Sequence, residues 1–166
     1  MPAGNGRQPQ LDLDDVDAFA EAAHAGQTRH NGAPYIVHPR AVRAILEDEH
    51  PEPADALMLA IALLHDVLED CDVHPTILLE RYGRAVQEGV TLLSKQVRAL
   101  GLERDHHVYW SGLRNGPRHV RLIKTADRLA NWRDALAAAD EKLVTRYREE
   151  TLRDLLPLLR DAGETW

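Results

Sequence analysis

Cysteine is nearly missing from these 166 residues: Cys71 stands alone. A lone cysteine excludes an internal disulfide and a cysteine-based zinc site, and it fits a reducing cytoplasm. Aromatic residues are scarce too, at 5% with one Phe, so a core must be built from Leu, Ala, Val and Ile, a composition that suits helix packed on helix. No apolar run reaches the roughly eighteen residues of a membrane span, and the first ten residues are polar with Pro and Gly; neither a membrane span nor a signal peptide is expected. β-branched residues never alternate over a useful length, which leaves no strand to predict. Of 20 basic residues only three are Lys, and all are scattered along a chain of net charge -7, so nucleic acid is not an expected partner. A small anionic substrate stays open, because a local pocket can be basic on an acidic protein. Internal repeats and low-complexity runs are missing as well.

What is present suffices for one all-α domain of about eight helices, over 11–166, behind a leader at 1–10. A first helix is expected from Asp12 or Asp14 to about Ala25, with Val16, Phe19, Ala20 and Ala23 inward. A loop punctuated by Gly32 and Pro34 follows. His38 precedes Pro39, which places it at the mouth of a second helix running to about Glu49. Further helices are predicted at about 54–69, 75–82, 84–96, 104–114, 118–138 and 140–161, with 97–103 a link and Pro157 kinking the last helix.

The helix at 54–69 is the centre of the pattern. Its body, Ala54 to Leu64, is apolar on nearly every side and reads as buried all round. It ends in His65 and Asp66, with Glu69 and Asp70 one turn on. Buried charge costs several kcal/mol, in order of magnitude, unless it is paired or binds a metal. In the 118–138 helix, Asp127 sits at the border of the apolar face between Lys124 and Asn131. His38, His65, Asp66 and Asp127 therefore combine two imidazoles and two carboxylates, a donor set that suits Mn²⁺, Fe²⁺ or Zn²⁺. Glu69 follows His65 by four residues, and Asp70 follows Asp66 likewise. Both point along the same face, placed to take a proton from an attacking water or to orient it. Lys124 reads either as a structural salt bridge or as a phosphate contact. His24, His50, His74, His106, His107 and His119 show no partner pattern and read as ordinary core or surface residues.

Three stretches in order resemble the HD-domain metal phosphohydrolases, in particular the Rel/SpoT-type (p)ppGpp hydrolase domain: Gly26 to Pro39, Ala62 to Asp70, and Ile123 to Asn131. The resemblance covers about residues 14 to 136 and implies an HD-type helical bundle. It implies Mn²⁺-dependent removal of the 3′-pyrophosphate of a guanosine alarmone, by a stand-alone hydrolase of cytoplasmic type. Carried over by position, His38, His65, Asp66 and Asp127 would bind the ion, Glu69 and Asp70 would handle the water, Arg29 would stack on guanine and Asn131 would hold the ribose. The chain departs from the pattern near the nucleotide: His30, itself a candidate substrate contact, replaces Lys, Ala33 replaces an acid, and Asp134 stands where Thr or a similar residue is usual. These departures leave a second substrate class, a 3′-phosphorylated dinucleotide cofactor or a nucleoside monophosphate, as the alternative reading. A catalytically silent nucleotide-binding module is a further one.

Overall fold

The computed structural model describes residues 11–164, and the leader expected at 1–10 lies outside them. The expected all-α architecture is present. Helix α1 (Leu13–Ala23) starts where the Asp12 side chain accepts the backbone N–H of Asp14 and Asp15, and it buries Val16 and Ala20. Helix α2 (Val37–Asp48) begins two residues ahead of Pro39. The proline thus falls in the first turn, where its missing N–H would have had no helical partner anyway. His38 sits in that turn as expected, and is buried.

The predicted helix at 54–69 is interrupted. Helix α3 (Ala56–Leu64) and the short α4 (Val67–Asp70) flank a turn made by His65 and Asp66. The His65 ring explains part of the break: its Nδ1 lies 2.7 Å from the Ala62 carbonyl oxygen. In a continuous helix that carbonyl would serve the N–H of residue 66. Every residue of α3 from Met58 to Leu64 is buried, and α1, α2, α6 and α8 pack around it. The expectation of an all-round buried helix over Ala54 to Leu64 holds from Met58 onward, while Asp55 and Ala56 at its start are exposed.

Helix α5 (Pro75–Tyr82) stops at Gly83, which adopts φ 85° before α6 (Arg84–Leu93). Helices α7 (His106–Asn115) and α8 (Arg118–Ala137) follow, and α8 packs mainly on α2. Between α6 and α7 the expected link contains a small antiparallel hairpin, β1 (Gln96–Val97) and β2 (Leu102–Glu103), around one 3₁₀ turn and Gly101 at φ 59°. Strands of two residues are too short to show alternation. The hairpin is held by tertiary contacts: Arg104 donates to the Thr91 and Ser94 carbonyls and, through its backbone N–H, to that of Lys95. It packs on α4 and so delivers Lys95 and Arg98 to the same side as Glu69 and Asp70.

The last helix is also divided. Helix α9 (Glu141–Glu150) passes through a π-helical turn at Thr151–Leu155 into α10 (Leu156–Ala162). Pro157 lacks an N–H and would crowd the carbonyl four residues back. The wider turn falls just N-terminal to it, so the distortion expected at the proline is taken up one turn earlier as a π-bulge.

Candidate metal centre and its cleft

His38 comes from α2, His65 and Asp66 from the α3–α4 turn, and Asp127 from the middle of α8. Single ligand atoms of His38, His65 and Asp127 all lie within 4.8 Å of one another. Asp66 closes the group: its Oδ2 is 3.1 Å from His65 Nε2 and 3.6 Å from His38 Nε2. Asp127 Oδ1 is 3.2 Å from His38 Nε2 and 3.8 Å from His65 Nε2. All four residues named for a metal from the sequence are thus brought together.

Two features test whether a divalent ion fits. The Ala62 carbonyl engages His65 Nδ1 and fixes that nitrogen as the N–H, which leaves Nε2 as the lone-pair nitrogen, the arrangement second-shell partners impose on metal-binding histidines. That Nε2 is buried and has no hydrogen-bond partner of its own. A buried, unpaired acceptor facing two carboxylates is costly unless a cation or proton joins it, and the imidazole–carboxylate donors suit a borderline divalent ion. The residues fit.

The electrostatics agree. Burial alone would raise the Asp127 carboxyl, but Lys124 at 2.8 Å, with His38 and His65, holds it well below the usual range. Asp66 is also depressed; burial opposes this, and His65 and His38 outweigh it. Asn131 donates to Asp127 Oδ1 at 2.6 Å and helps to orient it. Glu69 and Asp70 shift the other way, raised first by burial and then by the nearby Asp66 carboxylate. Two acids with elevated pKa beside two depressed carboxylates is the division of labour expected of proton acceptors beside ion ligands.

Glu69 Oε2 accepts from the Lys95 backbone N–H at 2.7 Å. Asp70 Oδ2 lies 2.8 Å from the Tyr35 hydroxyl, as does Asp66 Oδ2. Arg29 donates to Asp134 at 2.7 Å and Asn131 at 3.0 Å, and its guanidinium lies over the Tyr35 ring. Lys124 makes the salt bridge to Asp127 and also faces the cleft, so both of its readings have a structural basis. His30 is exposed at the cleft rim.

The centre lies in a cleft of about 820 Å³ that contains every candidate above. Sequence reasoning passed over much of its wall. Six basic residues line it: Arg29, Lys95, Arg98, Lys124, Arg128 and Arg146. Arg29, Lys124 and Arg128 are paired with Asp134, Asp127 and Glu150. Among the described residues no carboxylate lies within ion-pair distance of Lys95, Arg98 or Arg146, which leaves their charge available to the cleft. Tyr147 supplies a flat face there, with Arg128 and Arg146 against its ring. These residues come from the loop before α2, the hairpin and its approach, α8 and α9, and nothing in their linear spacing announces a cluster. Tyr35 lies in the Gly26–Pro39 stretch without an expected role, and the buried His24 stacked on it reads from the sequence as an ordinary core or surface residue.

The sequence model of the HD domain family matches residues 17–154. The chain belongs to the HD-domain family. This HD domain is 37% identical over 162 residues to a guanosine-3′,5′-bis(diphosphate) 3′-pyrophosphohydrolase of Vibrio cholerae, covering 94% of the chain and 22% of that protein. It is 36% identical to a probable GTP pyrophosphokinase of Mycobacterium leprae, covering 93% of the chain and 20% of that protein. The HD domain therefore spans about a fifth of the length of the curated relatives it matches. A solved structure, described as a metazoan ortholog of SpoT that hydrolyzes ppGpp and plays a role in starvation responses, has a similar fold. The TM-score is 0.71 at 24% identity, over 93% of this chain and 97% of that one. No helix among the described residues is long and apolar enough to cross a membrane.

Proposed function

We propose that this HD domain is a divalent-metal phosphohydrolase of the cytoplasm that removes the 3′-pyrophosphate of guanosine alarmones, converting ppGpp or pppGpp to GDP or GTP plus pyrophosphate. The observation that carries the reading is the meeting, in one cation-lined cleft, of the His38, His65, Asp66 and Asp127 cluster with two acids of raised pKa. The similarity to proteins named for this reaction points the same way.

His38, His65, Asp66 and Asp127 would hold the ion, with Mn²⁺ the preferred occupant and Fe²⁺ or Zn²⁺ also compatible with the donors. A divalent cation held there supplies Lewis acidity, lowering the pKa of water and offsetting charge on phosphate. Glu69 or Asp70 accepts the proton of the attacking water. The water oxygen bonds to the phosphorus attached to the ribose 3′ oxygen, that ester P–O bond breaks, and the 3′ oxygen leaves with the proton that the carboxylate took from the water. Lys95, Arg98 and Arg146 attract the anionic substrate and offset its other phosphates. Arg29, already fixed by Asp134 and Asn131, offers its guanidinium plane to the base. Asn131 and His30 are placed to touch the nucleoside and Lys124 the phosphates.

The test is a comparison of initial rates on ppGpp, NADPH and deoxynucleoside monophosphates with Mn²⁺. Turnover of ppGpp to GDP and pyrophosphate, lost on chelation and in Asp66→Ala, is the expected result. Absence of ppGpp turnover, with release of phosphate from one of the other nucleotides, would sink the substrate assignment.

A further inference from the structure

Tyr35 is drawn into the centre by contacts that neither ion binding nor nucleotide binding requires of it. Its hydroxyl stands 2.8 Å from Asp66 Oδ2 and 2.8 Å from Asp70 Oδ2. The same Asp66 oxygen faces His65 Nε2 at 3.1 Å, so the phenol bonds the atom that points at the ion cluster.

The phenol is itself held from behind. Its ring stacks on His24 at 4.6 Å between centroids and 21° between planes, and its edge meets His38 at 6.1 Å. His24 is buried, and its Nδ1 is 2.9 Å from Gln27 Oε1. Gln27 in turn donates through Nε2 to the Asp70 carbonyl at 2.9 Å. The loop closes on itself through a bridge between Thr28 and Pro34 and a bond from Tyr35 N–H to the Gln27 carbonyl.

An aspartate carboxylate needs such a partner. Rotation about its last bond is broad and not set by a staggered well, so neighbours decide where the two oxygens point. Asp66 and Asp70 are moreover like charges four residues apart across a helical turn, which repel. A single donor between them both orients and screens the pair.

We infer that Tyr35 is a positioning residue: its hydroxyl sets the carboxylates of Asp66 and Asp70 relative to each other, joining the 27–35 loop to the ion-binding group as one unit. The inference rests on the metal-site part of the proposed function and not on the identity of the nucleotide. Partners of this kind are worth about 10–100-fold in metal affinity or activity in characterised metal sites.

Tyr35→Phe tests it, since the ring contacts to His24 and His38 survive and only the hydroxyl is lost. The expected result is a Mn²⁺ Kd, from isothermal titration calorimetry, weakened about tenfold. With ppGpp, kcat should fall about 10–100-fold while KM moves less than about threefold. Unfolding of the metal-free protein should change little. Tyr35→Leu, which also removes the stacking face, should weaken Mn²⁺ as much and lower Tm in addition. Wild-type Mn²⁺ affinity and kcat in Tyr35→Phe would overturn the inference. So would a raised KM at unchanged kcat, which would make the hydroxyl a substrate contact. If the wild type fails to cleave ppGpp, the substrate proposal falls, while the calorimetric Kd still decides the role of Tyr35.

Discussion

Glu69 and Asp70 are neighbours in sequence with different anchors, and the difference matters for which takes the proton. Asp70 is held by the Tyr35 hydroxyl, while Glu69 is touched by the Lys95 backbone N–H on one oxygen and keeps the other for the cleft. Burial and the Asp66 charge raise the Glu69 pKa, bringing it nearer the working pH of a general base. Glu69→Gln removes the basic oxygen and almost no volume. It should lower kcat by about 10²–10⁴-fold, the usual range for a positioned acid or base, with the Mn²⁺ Kd unchanged within about threefold. Retained activity would move the base role to Asp70. At this scale the sequence was readable where cost betrayed function: His65 and Asp66 close an apolar helix, and such groups need partners. It was opaque for Arg98 and Arg146, because an exposed cation has no such cost and only the fold reveals that both share a wall with Lys95.

Among the elements, α3 decides where half the centre stands, and α6 is one of the four helices packed around it. A Cβ on Gly89 of α6 would lie 2.5 Å from Ile61 Cδ1 and 3.1 Å from Ile61 Cγ1. Ile61 is fully buried, so its side chain cannot swing out into solvent to make room. Gly89→Leu should therefore overpack the interface and cost about 1–3 kcal/mol, lowering Tm by roughly 2–4 °C per kcal/mol for a chain of this size. Displacing α3 would also move His65, so the Mn²⁺ Kd should weaken. Gly89→Ala should be milder, since the helix gains up to about 1 kcal/mol when glycine is replaced. An unchanged Tm in Gly89→Leu would show slack between the helices that the contact distances deny. The main helices were legible from apolar spacing and from Gly and Pro punctuation, because those signals are local. The break at His65, the two-residue strands and the π-bulge ahead of Pro157 were not. The first two are set by contacts remote from local spacing, the His65 ring on the Ala62 carbonyl and Arg104 on the Thr91 carbonyl, whereas Pro157 announced a distortion but not its form.

Taken whole, the protein carries a net charge of -7, yet Lys95, Arg98 and Arg146, three cations outside any ion pair among the described residues, line the cleft. The buried centre is anionic and the wall around it cationic, so the site as a unit asks for a cation inside and an anion outside. This couples fold stability to pH. Burial acts first to lower the His65 pKa, but the Asp66 and Asp127 carboxylates outweigh it and push it up to about 9, above the ordinary value of about 6.5. A raised folded-state pKa gives stability that is fully present below about pH 6.5 and is lost as pH rises through about 9. Asp66 and Asp127, being depressed, lose their contribution only in acid, outside this window. A divalent ion needs the neutral imidazole, so it competes with that proton and binds more tightly over the same rise in pH. The metal-free protein should therefore show a falling Tm between about pH 6.5 and about 9. Added Mn²⁺ should raise Tm by a margin that widens across the same interval. At about 100 times Kd the ion adds about 2.7 kcal/mol, large enough to read by calorimetry. Thermal unfolding with and without Mn²⁺ at several pH values in this range measures both slopes. A margin that stays constant would mean that no proton leaves when the ion enters, and His65 would then not be a ligand.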